Sequence, residues 1–398
     1  MKKKYILSPQ YEFIKKEEIE DLDIPEVQQL LKEELFALMD TQSGSVLLLS
    51  PTIHELLCFF SQPIDFQQVV TNYAAQMNET CEDIERILAP FCTDMYNRNI
   101  IVPESWGQEI TQILTVGDVF GRYVVSKILS DEGTLKVCIA TDLVENDTVV
   151  LKILDRRTMP DKQELKYWLK RFKQEINIMR AAQGHPSVCR LLEVIETADY
   201  HVSVMECIEG DSLRHWLKNH EPLEYETRIR LFHQILAVYA HLHQKKILHG
   251  DIHRSNILIT HAGEVKIIDF DMAYHQPLKR GELVIEGGVS SYLPPEKISD
   301  NYFDLVTDRA DFVSEVYQLG VIGYFIFYEK LPFEGHTWLA LAKTIREAPA
   351  QLGNYKNMDV FLAKALDKNP INRFQSAKEM FEKFGLLESI KKLGRFQI

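Results

Sequence analysis

The chain has 398 residues, 45% hydrophobic and 26% charged, with a formal net charge of −13. That length allows two or three domains and a sizeable core. The acidic balance argues against nucleic acid as a main partner and against docking on anionic membrane, since both need a basic surface.

Six cysteines, at 58, 81, 92, 138, 189 and 207, show no Cys-x-x-Cys spacing. This argues against a structural zinc site and suggests thiols of a reducing compartment. Lysines follow Met1, but no apolar stretch of signal-peptide length comes after them. The longest apolar run, 319–328, is about half of what spans a bilayer. The expectation is a cytoplasmic protein with no membrane insertion. Export as an effector into a host cell is compatible with the same sequence.

Residues 1–44 read as short strands and a charged helix. The apolar runs 35–39 and 45–49 flank Asp40-Thr41-Gln42-Ser43-Gly44, a hairpin signal. Three helical patterns follow. One opens at Pro51 and carries Leu56, Leu57 and Phe60. A second starts at Pro63 and carries Phe66, Val69, Val70 and Tyr73. A third, capped by Asn78-Glu79-Thr80, carries Ile84, Ile87, Leu88, Phe91 and Met95. Residues 99–102 read as a closing strand. Together these make a small winged-helix domain over residues 1–103. Its third helix carries Glu79, Glu82, Asp83, Glu85 and Asp94 against Arg86 and Arg98, a balance that phosphates would repel. Residues 35–102 resemble the PqqD family. The resemblance implies capture of a peptide or protein partner by strand addition to the hairpin edge. A purely structural packing role is the alternative.

Residues 104–118 read as a linker. Strand patterns resume at 123–129, 136–141 and 149–154. Lys152 interrupts the last of them and must snorkel or find an anion. The next helix has the apolar stripe Leu165, Trp168, Leu169, Phe172, Ile176 and Met179. Glu175 lies on that same face and wants a cationic partner. A strand over 200–207 contains Met205, Glu206 and Cys207. A long amphipathic helix covers 224–244. Two short apolar runs then flank His261-Ala262-Gly263-Glu264 and read as a hairpin, with Asn256 at its entrance and Asp269 at its exit. Asp251 sits just upstream. Two carboxylates and a carboxamide brought together suit an oxygen-ligated divalent cation beside a general base.

The segments His249-Gly250-Asp251 to Asn256 and Asp269-Phe270-Asp271 resemble the catalytic loop and metal-binding segment of the protein kinase superfamily. The fold class implied is α+β, a bilobal protein kinase-like fold preceded by the winged-helix domain. The kinase-like part runs over 119–386, with lobes 119–206 and 207–386 and a tail at 387–398. The resemblance implies ATP and Mg²⁺ as cofactors and assigns roles residue by residue. Asp251 is the base, Asn256 and Asp269 hold Mg²⁺, and Lys152, paired with Glu175, holds nucleotide phosphates. Met205 is the gatekeeper, and the backbones of Glu206 and Cys207 meet adenine. Gly133 and Val137 belong to the phosphate loop. Glu296 and Arg373 match the family's buried glutamate–arginine pair, and Glu315 stands where an aspartate is usual.

The departures matter as much. Ser130, Glu132 and Leu135 occupy the three glycine positions of the phosphate loop, and Asp131 and Glu132 would add negative charge there. Gly250 replaces the arginine that clamps a loop phosphate, which implies no activation-loop phosphoswitch. His253 replaces a lysine, resembles the aminoglycoside and choline kinase pattern, and would contact the γ-phosphate. Asp271 replaces a glycine and adds a carboxylate beside the metal site. Three readings follow. The chain is a Ser/Thr-type phosphotransferase acting on a protein or peptide hydroxyl, a pseudokinase scaffold, or a small-molecule kinase. The fused peptide-clasping domain resembles the logic of lanthipeptide modification, in which a leader peptide is clasped while core hydroxyls are phosphorylated.

Overall fold

The structure is a computed structural model that describes residues 4–8, 11–14, 36–40, 46–49, 51–77, 79–97, 100–104, 114–131, 134–158, 162–220, 222–280, 282–283, 289–298, 311–335 and 338–394. The chain divides into two compact units. One comprises residues 1–165 and 194–202, the other residues 166–193 and 203–398.

In the first unit, strands β1 (Lys4–Leu7), β2 (Tyr11–Ile14), β3 (Phe36–Asp40) and β4 (Val46–Leu49) precede three helices, α1 (Pro51–Cys58), α2 (Phe66–Met77) and α3 (Cys81–Asn97). Strand β5 (Ile64–Asp65) leads into α2, and β6 (Ile101–Pro103) follows α3. The expected hairpin forms as β3 against β4, in register from Phe36↔Leu49 to Met39↔Val46. Its turn lies outside the described residues. Strand β2 covers the β3 side of that hairpin. The closing strand joins β1 in a separate sheet of order β5-β1-β6. The Ile100 amide donates to Met95 O at 2.9 Å, reversing the chain, and the Ser8 amide ties β1 alongside at Ile100 O, 2.8 Å. The helices form because their apolar positions recur at helical spacing. Leu56, Leu57, Phe60, Val69, Val70, Ile84, Leu88 and Phe91 are all buried. Thr80 caps α3, its Oγ1 accepting the Asp83 amide at 3.2 Å.

Beyond residue 114, strands β7 (Val119–Phe120), β8 (Tyr123–Asp131), β9 (Leu135–Asp142) and β10 (Thr148–Asp155) build an antiparallel meander. Helix α4 (Lys162–Ala182) follows, then β11 (Leu191–Glu196) and β12 (Tyr200–Glu206). The six strands lie in the order β11-β12-β10-β9-β8-β7.

The second unit is largely helical. Strand β13 (Gly210–Ser212) and helices α5 (Leu213–Asn219) and α6 (Tyr225–Gln244) lead to β14 (Ile247–Leu248), β15 (Ile257–Thr260), β16 (Val265–Ile267) and β17 (Tyr274–His275). Helices α7 (Phe312–Tyr328), α8 (Trp338–Glu347), α9 (Asn357–Ala365) and α10 (Ala377–Gly394) complete it. Helix α7 is buried all round from Ser314 to Phe327, which is why its sequence is apolar on every face. Glycine at 323 is a packing requirement, since a Cβ there would come within 2.5 Å of the Phe232 ring. The short terminal helix expected near 386–393 is the continuation of α10. That helix is anchored by the buried Ala377, Met380 and Phe384. No described helix is long and apolar enough to cross a membrane. All six cysteines are free, and Cys138 and Cys189 are buried.

Glu296 meets Arg373 through two hydrogen bonds of 2.8 and 2.7 Å. The arginine side chain is fully buried, and its Nε donates to Asp367 O at 2.7 Å. Removing one member of such a pair strands the other charge. Arg373→Ala is therefore expected to cost about 3 kcal/mol, read as a lower urea midpoint with an unchanged slope.

Candidate active site

The β15–β16 hairpin pairs Ile257 with Ile267, and the Ile268 amide donates to Asn256 O at 3.1 Å. Asn256 and Asp269 therefore leave the same end of the hairpin, as its sequence spacing demands. Asn256 Nδ2 donates to Asp251 O and Oδ2, both at 3.1 Å. With the amide nitrogen committed, the carboxamide oxygen is the group suited to a cation. Asp269 adopts a left-handed backbone, φ 62°, and its Oδ1 accepts the Asp271 amide at 3.3 Å.

This loop rests on buried polar supports. His249 is fully buried, and its Nε2 donates to Ile268 O at 3.1 Å. Glu315, 1% exposed, accepts the Gly250 amide at 2.8 Å through Oε1 and His243 Nε2 at 2.8 Å through Oε2. His243 Nδ1 in turn accepts the Ala377 amide at 2.9 Å. The glutamate at 315 thus links α6, α7, α10 and the loop before Asp251.

His253 sits against Asp251. Its Nε2 donates to Asp251 Oδ2 at 3.2 Å, and its Nδ1 accepts the Ser255 amide at 3.2 Å. Apart from the γ-phosphate contact that the resemblance implies, the structure makes His253 a partner of Asp251. Burial alone would push the Asp251 carboxyl up. The His253 hydrogen bond and charge, the His249 charge and the Asn256 amide outweigh it and hold the carboxyl below its ordinary value.

Asn256 and Asp269 offer one carboxamide oxygen and one carboxylate. Among the described residues no group of three or more His, Cys, Asp or Glu could hold a metal ion. Magnesium characteristically takes one or two carboxylates and completes its shell with phosphate oxygens and water, so this donor set fits it.

The remaining expected residues occupy both units. Lys152 lies in β10 opposite Val137 of β9 and is 9% exposed. Glu175 lies on α4, 4% exposed. Met205, Glu206 and Cys207 close β12 and begin the next segment. The Glu206 amide donates to Arg190 O at 3.0 Å. Its side chain binds Lys266 Nζ at 2.6 Å and Arg190 Nε at 3.0 Å.

Gly133 lies outside the described residues, as does Glu132. The strands on either side pair down to Asp131↔Lys136. Asp131 does not face outward as an added negative charge. It is 8% exposed and accepts Lys136 Nζ at 3.2 Å and the Leu114 amide at 3.0 Å. Asp155 N donates to Thr134 O at 2.9 Å, and Arg157 binds Asp155 through two bonds of 3.0 and 2.9 Å. Sequence reasoning missed this knot. The signal was Lys136 at a position whose neighbours, Cys138 and Ala140, are fully buried.

Sequence reasoning also missed Arg171. Its guanidinium binds the Asp271 carboxylate through two bonds, Nε to Oδ1 at 2.9 Å and Nη2 to Oδ2. Asp271 is therefore an ion-pair partner in the fold. A spare acidic residue in place of a glycine, with an arginine one turn before Glu175, was the available clue.

The loop from His249 to Asn256, the hairpin that ends at Asp269 and the buried Glu296–Arg373 pair are features of a kinase-type fold. The chain matches the protein kinase domain over residues 125–384 and belongs to that family. It is 27% identical to the serine/threonine-protein kinase PrkC of Bacillus subtilis over 271 residues, 66% of this chain and 40% of that protein. A probable serine/threonine-protein kinase of Clostridium perfringens is 30% identical over 287 residues, 70% of this chain and 39% of that protein. The CBL-interacting serine/threonine-protein kinase 15 of Arabidopsis thaliana is 30% identical over 279 residues, 68% of this chain and 63% of that protein. The chain thus spans about two-fifths of the length of these bacterial relatives.

The depressed carboxyl of Asp251 has a consequence for pH. The stabilisation that its ionised form contributes is present above the ordinary carboxylate range and is lost as pH falls through the depressed value. His253→Ala removes the hydrogen bond that His253 gives the Asp251 carboxylate. The acid limb of the Asp251 titration, followed by carboxyl carbon NMR, is expected to move to higher pH. An unmoved limb would show that His253 does not set it.

Proposed function

We propose that this chain is an ATP- and Mg²⁺-dependent phosphotransferase of the Ser/Thr protein kinase type, acting on a protein or peptide hydroxyl. The observation that carries the reading is the Asp251–Asn256 pair joined through one hairpin to Asp269. Asp251 is held as a carboxylate and accepts the hydroxyl proton as the oxygen–phosphorus bond forms and the β–γ bridge bond breaks. Asn256 and Asp269 would hold Mg²⁺, whose chemistry is to neutralise charge on the β and γ oxygens. The resemblance gives Lys152 and Glu175 the family's lysine and glutamate roles and assigns Met205, Glu206, Cys207 and Val137 to nucleotide binding. The relatives' printed names support a Ser/Thr protein substrate. The same reading keeps residues 1–103 as a PqqD-like winged helix and 119–386 as the kinase part. Because β2 already covers β3, β4 is the remaining edge of that hairpin among the described residues, and strand addition by a peptide is directed there.

A second reading, a nucleotide-independent scaffold, is favoured by one observation. The phosphate-loop strands lack glycine at 130 and 135 and are drawn together by the buried Asp131–Lys136 pair. Glycine normally lets backbone amides approach phosphates closely.

Thermal shift with Mg²⁺-ATP and label transfer to a generic protein substrate separate the two. Wild type is expected to be stabilised by Mg²⁺-ATP and to transfer phosphate. Asp269→Ala is expected to lose most of the Mg²⁺-dependent shift and to slow transfer by roughly a hundredfold or more. No shift and no transfer by wild type would establish the scaffold reading instead.

A further inference from the structure

Helix α4 carries Arg171, Gln174 and Glu175 at spacings of three and four, so they share one face. The first two grip the segment that follows Asp269. Arg171 and Asp271 side chains are 14% and 16% exposed, a setting in which a two-bond guanidinium–carboxylate pair is specific and poorly screened. The Trp168 ring lies 5.0 Å from the Arg171 guanidinium and helps fix its plane. Gln174 Nε2 donates to Ala273 O at 3.0 Å and to Leu283 O at 2.8 Å. Its Oε1 accepts the Leu283 amide at 2.6 Å.

The other side of the segment is closed by Gly250. Its φ is +81°, and a Cβ there would lie 2.5 Å from Met272 O. An arginine at 250 cannot be accommodated while Met272 holds this position. The two departures at 250 and 271 therefore belong together. Glycine at 250 lets the Met272 backbone close in, and aspartate at 271 lets α4 hold it there. The Asp271 amide reaches Asp269 Oδ1, so displacement of Asp271 is felt directly at the candidate metal ligand.

We propose that Arg171 and Asp271 are positioning residues. They form a permanent clasp that holds residues 269–273 against the Glu175 helix and makes a phosphate on the activation segment unnecessary. The catalytic part of this inference rests on the phosphotransferase reading above, while the clasp itself does not.

The test uses the full chain, stripped of phosphate by a phosphatase. Wild type is compared with Arg171→Ala, Asp271→Gly and the charge exchange Arg171→Asp with Asp271→Arg. Amide hydrogen exchange over 270–275 and Trp168 fluorescence are read without nucleotide, and kcat and KM are read with a peptide. Both single variants are expected to lose protection about tenfold or more in that segment. They are also expected to lower kcat by about tenfold or more with little change in peptide KM. The charge exchange recovers much of both, and phosphate-free wild type is fully active. Single variants that leave protection unchanged overturn the clasp, and so does a charge exchange no better than either single variant. A wild type active only after loop phosphorylation overturns its stated role. A wild type that never transfers phosphate, with protection still following the pair, upholds the clasp and overturns the phosphotransferase reading.

Discussion

The carboxylate of Glu315 is the constraint on which the candidate active site depends. It is almost wholly buried, and a buried carboxylate is tolerated only when its oxygens are satisfied. Here the Gly250 amide and His243 satisfy them. The chain cannot move the loop before Asp251 without taking the Gly250 amide from a buried carboxylate oxygen. The same bonds tie the loop to three helices of the second unit, so the position of Asp251 is fixed by the core rather than by the loop's own residues.

From that anchor the chemistry is built outward by short polar links. His249 joins the loop to Ile268 at the end of the hairpin, and Asn256 joins the hairpin to Asp251. His253 completes the surroundings of the carboxylate and helps keep it ionised despite burial. Arg171 and Gln174 hold the far side, beyond Asp269. Each link is a hydrogen bond or ion pair with limited solvent access, where geometry is enforced more strictly than at a wet surface.

The fold was largely legible because its signals are local. The hairpin from 257 to 267, the strands around Lys152 and the helix bearing Glu175 follow from period and turn residues alone. The Glu296–Arg373 pair was legible only through family resemblance, since 77 positions separate its members. What escaped was of one kind, namely side chains paired across the fold. Arg171 and Asp271 lie 100 positions apart, and no periodicity announces their bond. Asp131 reads from sequence as a charge facing phosphate, whereas it is spent on Lys136 and the Leu114 amide. The sequence likewise does not reveal that the two His253 nitrogens bond to Asp251 and Ser255. The closing strand of the amino-terminal domain was legible, but its partner β1 was not, because the pattern along a strand says nothing about which edge it joins.

The most direct measurement is single-turnover transfer of the γ-phosphate from Mg²⁺-ATP to a Ser/Thr peptide, comparing wild type with Asp251→Asn. The substitution keeps the shape of the side chain and removes its charge and proton-accepting ability. The account predicts transfer by wild type and a fall of roughly 10²–10⁴-fold in the variant, with Mg²⁺-ATP binding retained. Equal rates in the two proteins would contradict it.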